Sequence, residues 1–76
     1  MAPIKVVVHG ALGKMGREVV NAVSRDPETR LVGAVDINPK DNFLTLPDGS
    51  GKVPLSEDLD SMLAAQKPDV VVDFPW

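Results

Sequence analysis

Seventy-six residues make one small domain, and a chain of that length buries only about 60% of the surface it exposes when unfolded. Eleven acidic against eight basic side chains give a net charge of −3 with no basic stripe, which argues against nucleic acid as a partner. The absence of cysteine excludes disulfides and thiol-ligated metals, and no apolar run approaches the ~20 residues of a membrane span. Nor does the N-terminus carry a basic region followed by an apolar core, so a cytoplasmic setting is the default expectation.

The run "IKVVVH", Ile4 to His9, is nearly continuous in β-branched residues, the pattern of a parallel strand covered on both faces. From Lys14 to Arg25, Met15, Val19, Val20 and Val23 recur at helical spacing, with Arg17, Glu18, Asn21 and Ser24 on the other side; Pro27 ends the element. A second branched run, "RLVGAVD" over residues 30–36, reads as a second strand.

Residues 37–54 hold Pro39, Pro47, Gly49, Gly51 and Pro54, a density of breakers that argues against any long regular element and makes the segment either a functional flap or a variable excursion. Ser56 stands where an N-cap hydroxyl is expected, ahead of Glu57 and Asp58, and Leu59, Met62 and Leu63 line one face of a second helix. "DVVVDF", residues 69–74, is the third strand. The order β-α-β-α-β predicts an α/β fold, half of a doubly wound Rossmann fold with a parallel sheet of order 3-2-1. The whole chain, 1–76, then forms a dinucleotide-binding half-domain. In that arrangement Ile4 to His9 is an open edge, which predicts self-association, most simply as a symmetric dimer. The alternative is a monomer in which 37–54 folds back over the exposed face with Phe43, Leu44 and Leu46.

Gly10, Gly13 and Gly16 fall between the first strand and the first helix, and Asp36 closes the second strand 20 residues after Gly16. Gly10 would permit a sharp turn, Gly13 a close approach to a diphosphate, and Gly16 tight packing of the helix on the sheet. Amides at the helix start attract the anion, and Asp36 accepts from ribose hydroxyls while repelling a 2′-phosphate, which favours NAD over NADP. The plainer reading is a tight turn with a solvated Asp36. Lys14 is either a phosphate partner or an exposed lysine. His9 reads as structural rather than catalytic, Asp69 as a solvated strand start, and Asp73 as a carboxylate without a visible partner. Met15 and Met62 have the spacing of core residues.

With "VHGALGKMGREVVNAV", "LVGAVD" and "PDVVVDF" assembled, the chain resembles the N-terminal domain of the 4-hydroxy-tetrahydrodipicolinate reductase family. The family pattern G-A-x-G-[KR]-M-G followed by V-x-D-F matches at Gly10, Ala11, Gly13, Lys14, Met15, Gly16, Asp73 and Phe74. The resemblance implies hydride transfer from NADH or NADPH to a cyclic dihydropyridine dicarboxylate precursor in lysine biosynthesis. It also implies a cofactor site of Gly10, Ala11, Leu12, Gly13, Lys14, Met15, Gly16, Asp36 and Phe74. Members often carry a basic residue directly after the acidic one; here Ile37 and Asn38 follow. The catalytic and substrate-binding segments of the family come after V-D-F, whereas this chain has Pro75 and Trp76 there, so none of its residues is expected to be catalytic. A folding or assembly module without catalysis is the alternative. Semialdehyde dehydrogenases and nucleotide-sugar epimerases share the glycine spacing, but the Lys14–Met15 pair and V-D-F favour the reductase.

Overall fold

A branched run such as Val6-Val7-Val8 needs apolar cover on both faces of its strand, and the chain supplies it with one helix per face. The computed structural model describes residues 3–37, 39, 41–46, 49 and 51–73. Along these run β1 (Ile4–His9), α1 (Lys14–Arg25), β2 (Thr29–Val35), β3 (Phe43–Thr45), β4 (Lys52–Ser56), α2 (Leu59–Gln66) and β5 (Val70–Asp73). Val6 and Val8 pack with Leu31, Ala34, Val53 and Leu55 beneath Val20 of α1, while Val7 and Val35 pack against Met62 of α2. None of these helices is long and apolar enough to cross a membrane.

The five strands lie in the order β3-β4-β2-β1-β5. β1 is parallel to β2 on one side and to β5 on the other, and β2 is parallel to β4; only β3 runs antiparallel, against β4. The expected order 3-2-1 is therefore corrected: the strand at 70–73 lies beside β1, and the place beyond β2 is taken by β4. Handedness explains the arrangement. The connection from β1 to β2 runs one way across the sheet and the one from β4 to β5 runs back, so two right-handed crossovers put α1 and α2 on opposite faces. It follows that Ile4 to His9 is not an edge. The strand is paired on both sides, and the expected self-association through it loses its physical basis.

Residues 37–54 hold no long element among the described residues, as their breakers imply, but the short strand β3 and the start of β4 lie within that span. Alternation decides the matter: Val53 and Leu55 point into the core while Pro54 between them does not. Pro54 is tolerated because the ladder between β2 and β4 joins only Ala34 to Leu55 and Val35 to Ser56, leaving the proline outside it. Leu44 and Leu46 fold back against the α1 side of the core, as the alternative reading has it, but Phe43 remains exposed.

Between Val6 and Val7 the register of β1 on β2 slips by one residue, so that Val6 faces Leu31 and Val7 faces Gly33. A Cβ on Gly33 would lie 2.5 Å from Met62 Sδ, so α2 rests directly on the strand backbone there.

The cap of α2 is Asp58, two residues after the expected Ser56. Its carboxylate accepts from the Ser61 amide (3.2 Å) and hydroxyl (2.9 Å), while Ser56 Oγ accepts from the Asp58 amide at 3.0 Å. Ser61, through its hydroxyl first and its amide second, holds the Asp58 carboxyl below the usual carboxylate value of 3.8. A depressed folded-state pKa stabilises the chain above the unfolded value and is lost as pH falls through the folded one. Asp58→Ala is accordingly expected to lower the urea midpoint at pH 6, with the gap to the unmutated chain closing as the pH is lowered below 3.8. Urea titrations across that range check it; a gap independent of pH would contradict the assignment.

Candidate dinucleotide-binding site

Each of the three glycines in the turn answers to a different constraint. Gly10 has φ 85°, a left-handed conformation that side chains resist. A Cβ on Gly16 would fall onto the Gly10 carbonyl oxygen, with the carbonyl carbon 2.7 Å and Ala11 Cα 2.9 Å away, so α1 can dock only without one. Gly13 obeys neither rule. Its φ is −73°, and an added Cβ would meet only the Gly10 oxygen at 3.4 Å, a contact the fold can accept.

Four successive amides of the turn are used internally. Those of Gly10 and Ala11 both donate to the Val35 carbonyl (2.7 and 3.2 Å), that of Leu12 to Asp36 Oδ2 (2.9 Å), and that of Gly13 to the Gly10 carbonyl (3.1 Å). Helical bonding begins with the Arg17 amide, which donates to the Gly13 carbonyl at 2.9 Å. The amides of Lys14, Met15 and Gly16 occupy the first turn, where a helix has no acceptors of its own. No side chain caps this end, and no acidic residue sits in the turn to balance the helix dipole. Anion attraction is thereby concentrated on residues 14–16.

Asp36 is only 5% exposed, the one buried charged side chain among the described residues. Its amide donates to the Ser56 carbonyl at 3.0 Å, so β4 holds the backbone of Asp36 while the Leu12 amide of the turn holds the carboxylate. It lines a cavity of about 620 Å³ together with Leu12, Gly13 and Arg17; Ile37, Asp41 and Phe43 are among its other lining residues. The plainer alternative of a solvated Asp36 is thus set aside. Arg17, Asp41 and Phe43 were not among the expected site residues. Arg17 was legible as the residue one turn past Gly13, whereas Asp41 and Phe43 reach the cavity only because β3 folds beside β4.

Lys14 is exposed at the helix start. Met15, expected in the core, is 57% exposed: it lies in the first turn, above the sheet, while Met62 is buried as expected. Phe74 lies outside the described residues. At the far side of β1, His9 Nδ1 sits 2.9 Å from Asp73 Oδ1, across the register position that joins β1 to β5. Asp73 therefore has a partner that strand order alone reveals. Asp69 is exposed as expected, yet its carboxylate accepts from the Lys5 amide at 2.9 Å.

Two outcomes are expected. Gly13→Ala keeps the cooperative urea transition, with stability changed by less than about 1 kcal/mol, whereas Gly16→Ala abolishes it. A double-mutant cycle of His9→Ala and Asp73→Ala gives a coupling of roughly 0.2–1 kcal/mol, as befits a pair whose carboxylate is 57% exposed.

Residues 4–75 match the family model described as dihydrodipicolinate reductase, N-terminus. A 4-hydroxy-tetrahydrodipicolinate reductase of Dehalococcoides mccartyi is 58% identical over 74 residues, a span that covers 97% of this chain and 28% of the relative. One from Gloeothece citriformis is 46% identical over 81 residues, covering 96% of this chain and 30% of the relative. Among solved structures, a dipicolinate-bound dihydrodipicolinate reductase from Paenisporosarcina sp. TG-14 superposes with a TM-score of 0.76 at 30% identity, over 99% of this chain and 29% of that one. The chain thus spans less than a third of the length of these relatives.

Proposed function

Because the chain belongs to the dihydrodipicolinate reductase N-terminal family, we propose that it is the dinucleotide-binding half-domain of such a reductase and holds the adenosine diphosphate half of NADH. The observation that carries this reading is Gly13, a glycine that the fold itself does not require, lining a cavity and standing beside three first-turn amides. A diphosphate above that turn supplies the missing cap, and a Cβ at Gly13 obstructs it.

In this reading the amides of Lys14, Met15 and Gly16 bind the diphosphate. Gly10, Ala11 and Leu12 shape the turn, and the Lys14 ammonium adds a point charge. Asp36 accepts from the ribose hydroxyls and disfavours a 2′-phosphate, so NADH binds better than NADPH. Arg17 lines the same cavity, and its charge moderates that preference without reversing it, since Asp36 is the acceptor that the ribose meets. Phe74 is assigned to the cofactor site on the family pattern alone.

The bound nicotinamide would supply hydride to a cyclic dicarboxylate in lysine biosynthesis. The Paenisporosarcina relative is a dipicolinate-bound reductase, which supports a substrate of that class. No residue of this chain is assigned a catalytic role, and orientation of nicotinamide against substrate would come from other parts of such a reductase.

Titration with NADH, NADPH and ADP-ribose, followed by amide chemical shifts, tests the proposal. Shifts are expected at residues 12–17 and 36, with tighter binding of NADH than NADPH, a narrower preference in Asp36→Ser, and at least a tenfold loss in Gly13→Ala, about 1.4 kcal/mol. Equal affinities for the two cofactors would overturn the preference, and the absence of shifts with all three ligands would overturn the site.

A further inference from the structure

Of the four amides that residues 10–13 spend on the fold, three go to backbone carbonyls and one goes to a side chain. The exception is Leu12, whose acceptor, Asp36 Oδ2, lies 24 residues further along the chain. We infer that Asp36 is a positioning residue for the glycine turn: its carboxylate locks the Leu12 amide before any ligand arrives, so diphosphate affinity and ribose recognition depend on the same group. The second half of this statement rests on the proposed dinucleotide reading.

Burial makes the lock strong. A carboxylate that is 5% exposed has lost most of its hydration and requires donors, and an amide bonded to an ionised acceptor forms one of the stronger hydrogen bonds available to a protein. Both ends are fixed. Asp36 is tied through its own amide to Ser56 of β4, and Leu12 lies between Ala11, bonded to β2, and Gly13, bonded to Gly10. Leu12 also lines the cavity with Gly13 and Arg17, so a turn that swings outward at Leu12 moves the wall against which a ligand would rest. A carboxylate offers about four lone-pair sites, so accepting from a ribose hydroxyl does not require releasing Leu12. The consequence is that exchanging Asp36 to change cofactor preference also loosens the turn and weakens ligands that have no ribose at all.

The test compares Asp36→Asn, Asp36→Ala and Asp36→Ser with the unmutated chain in two measurements. The first is hydrogen exchange at the Leu12 amide without ligand; the second is titration with inorganic pyrophosphate, which lacks ribose and base. Asn keeps an amide oxygen that can accept from Leu12, whereas Ala offers no acceptor and the Ser hydroxyl is too short to reach. Roughly tenfold faster exchange at Leu12 and a similar loss of pyrophosphate affinity are expected in Ala and Ser, with Asn within about threefold on both and protection at Val7 and Val8 kept. Unchanged Leu12 exchange in Ala and Ser overturns the lock. Loss of protection throughout the sheet in all three variants also overturns it, because Asp36 would then support the strands rather than the turn. Faster exchange at Leu12 with pyrophosphate affinity unchanged overturns the coupling and leaves the dinucleotide reading standing. Failure of the unmutated chain to bind pyrophosphate overturns the diphosphate reading, and the coupling with it, whatever Leu12 does.

Discussion

Backbone against backbone is the contact on which the rest of this structure depends: α1 at Gly16 rests on the Gly10 carbonyl and Ala11, with no room for a side chain between them. A clash with a flexible side chain can be relieved by a change of rotamer, but one with a carbonyl group cannot. The closeness sets the height of α1 over the sheet. It brings Val20 down onto Val6 and Val8, and it seats the first helical turn against the residues that follow β1. The same turn returns two amides to the Val35 carbonyl, so the seat of the helix and the junction between β1 and β2 form one unit.

Around that unit the long excursion after β2 completes both the core and the site. Val53 and Leu55 of β4 extend the buried layer, and each fully buried aliphatic side chain contributes roughly 1.5–3 kcal/mol, a large share of the stability of so short a chain. Ser56 then fixes the backbone of Asp36, and β3 brings Phe43 into the lining of the cavity. The segment richest in breakers thus supplies two strands, part of the core and part of the cavity wall. The charges in the cavity belong to three different elements or loops, Arg17 on α1, Asp36 after β2 and Asp41 before β3. They share a space because the sheet aligns the carboxyl ends of its parallel strands, the place where open α/β sheets bind ligands.

Much of this was legible in the residues themselves. The bounds of β1 and α1 agree with the branched run and the helical spacing, and Gly10, Gly16 and Asp36 were recognisable by position. Those are local properties: branching, periodicity and the steric demands of glycine act over a few residues, and the fingerprint is a matter of distances along the chain. The family pattern lay in the same contiguous stretches, which is why it was visible as well.

The tertiary structure alone decided the sheet order, because the hand of each crossover depends on where β4 sits, and β4 was hidden behind Pro54. It decided that β1 is central, that His9 meets Asp73 across a strand pair, and that Met15 stands clear of the core. Position along the chain had given each glycine its own role, and the third dimension identified the obstacle: the Gly10 carbonyl excludes a side chain at Gly16 but tolerates one at Gly13. The bond from Leu12 to Asp36 belongs to the same class, since contact between residues 24 positions apart is set by packing, not by propensity.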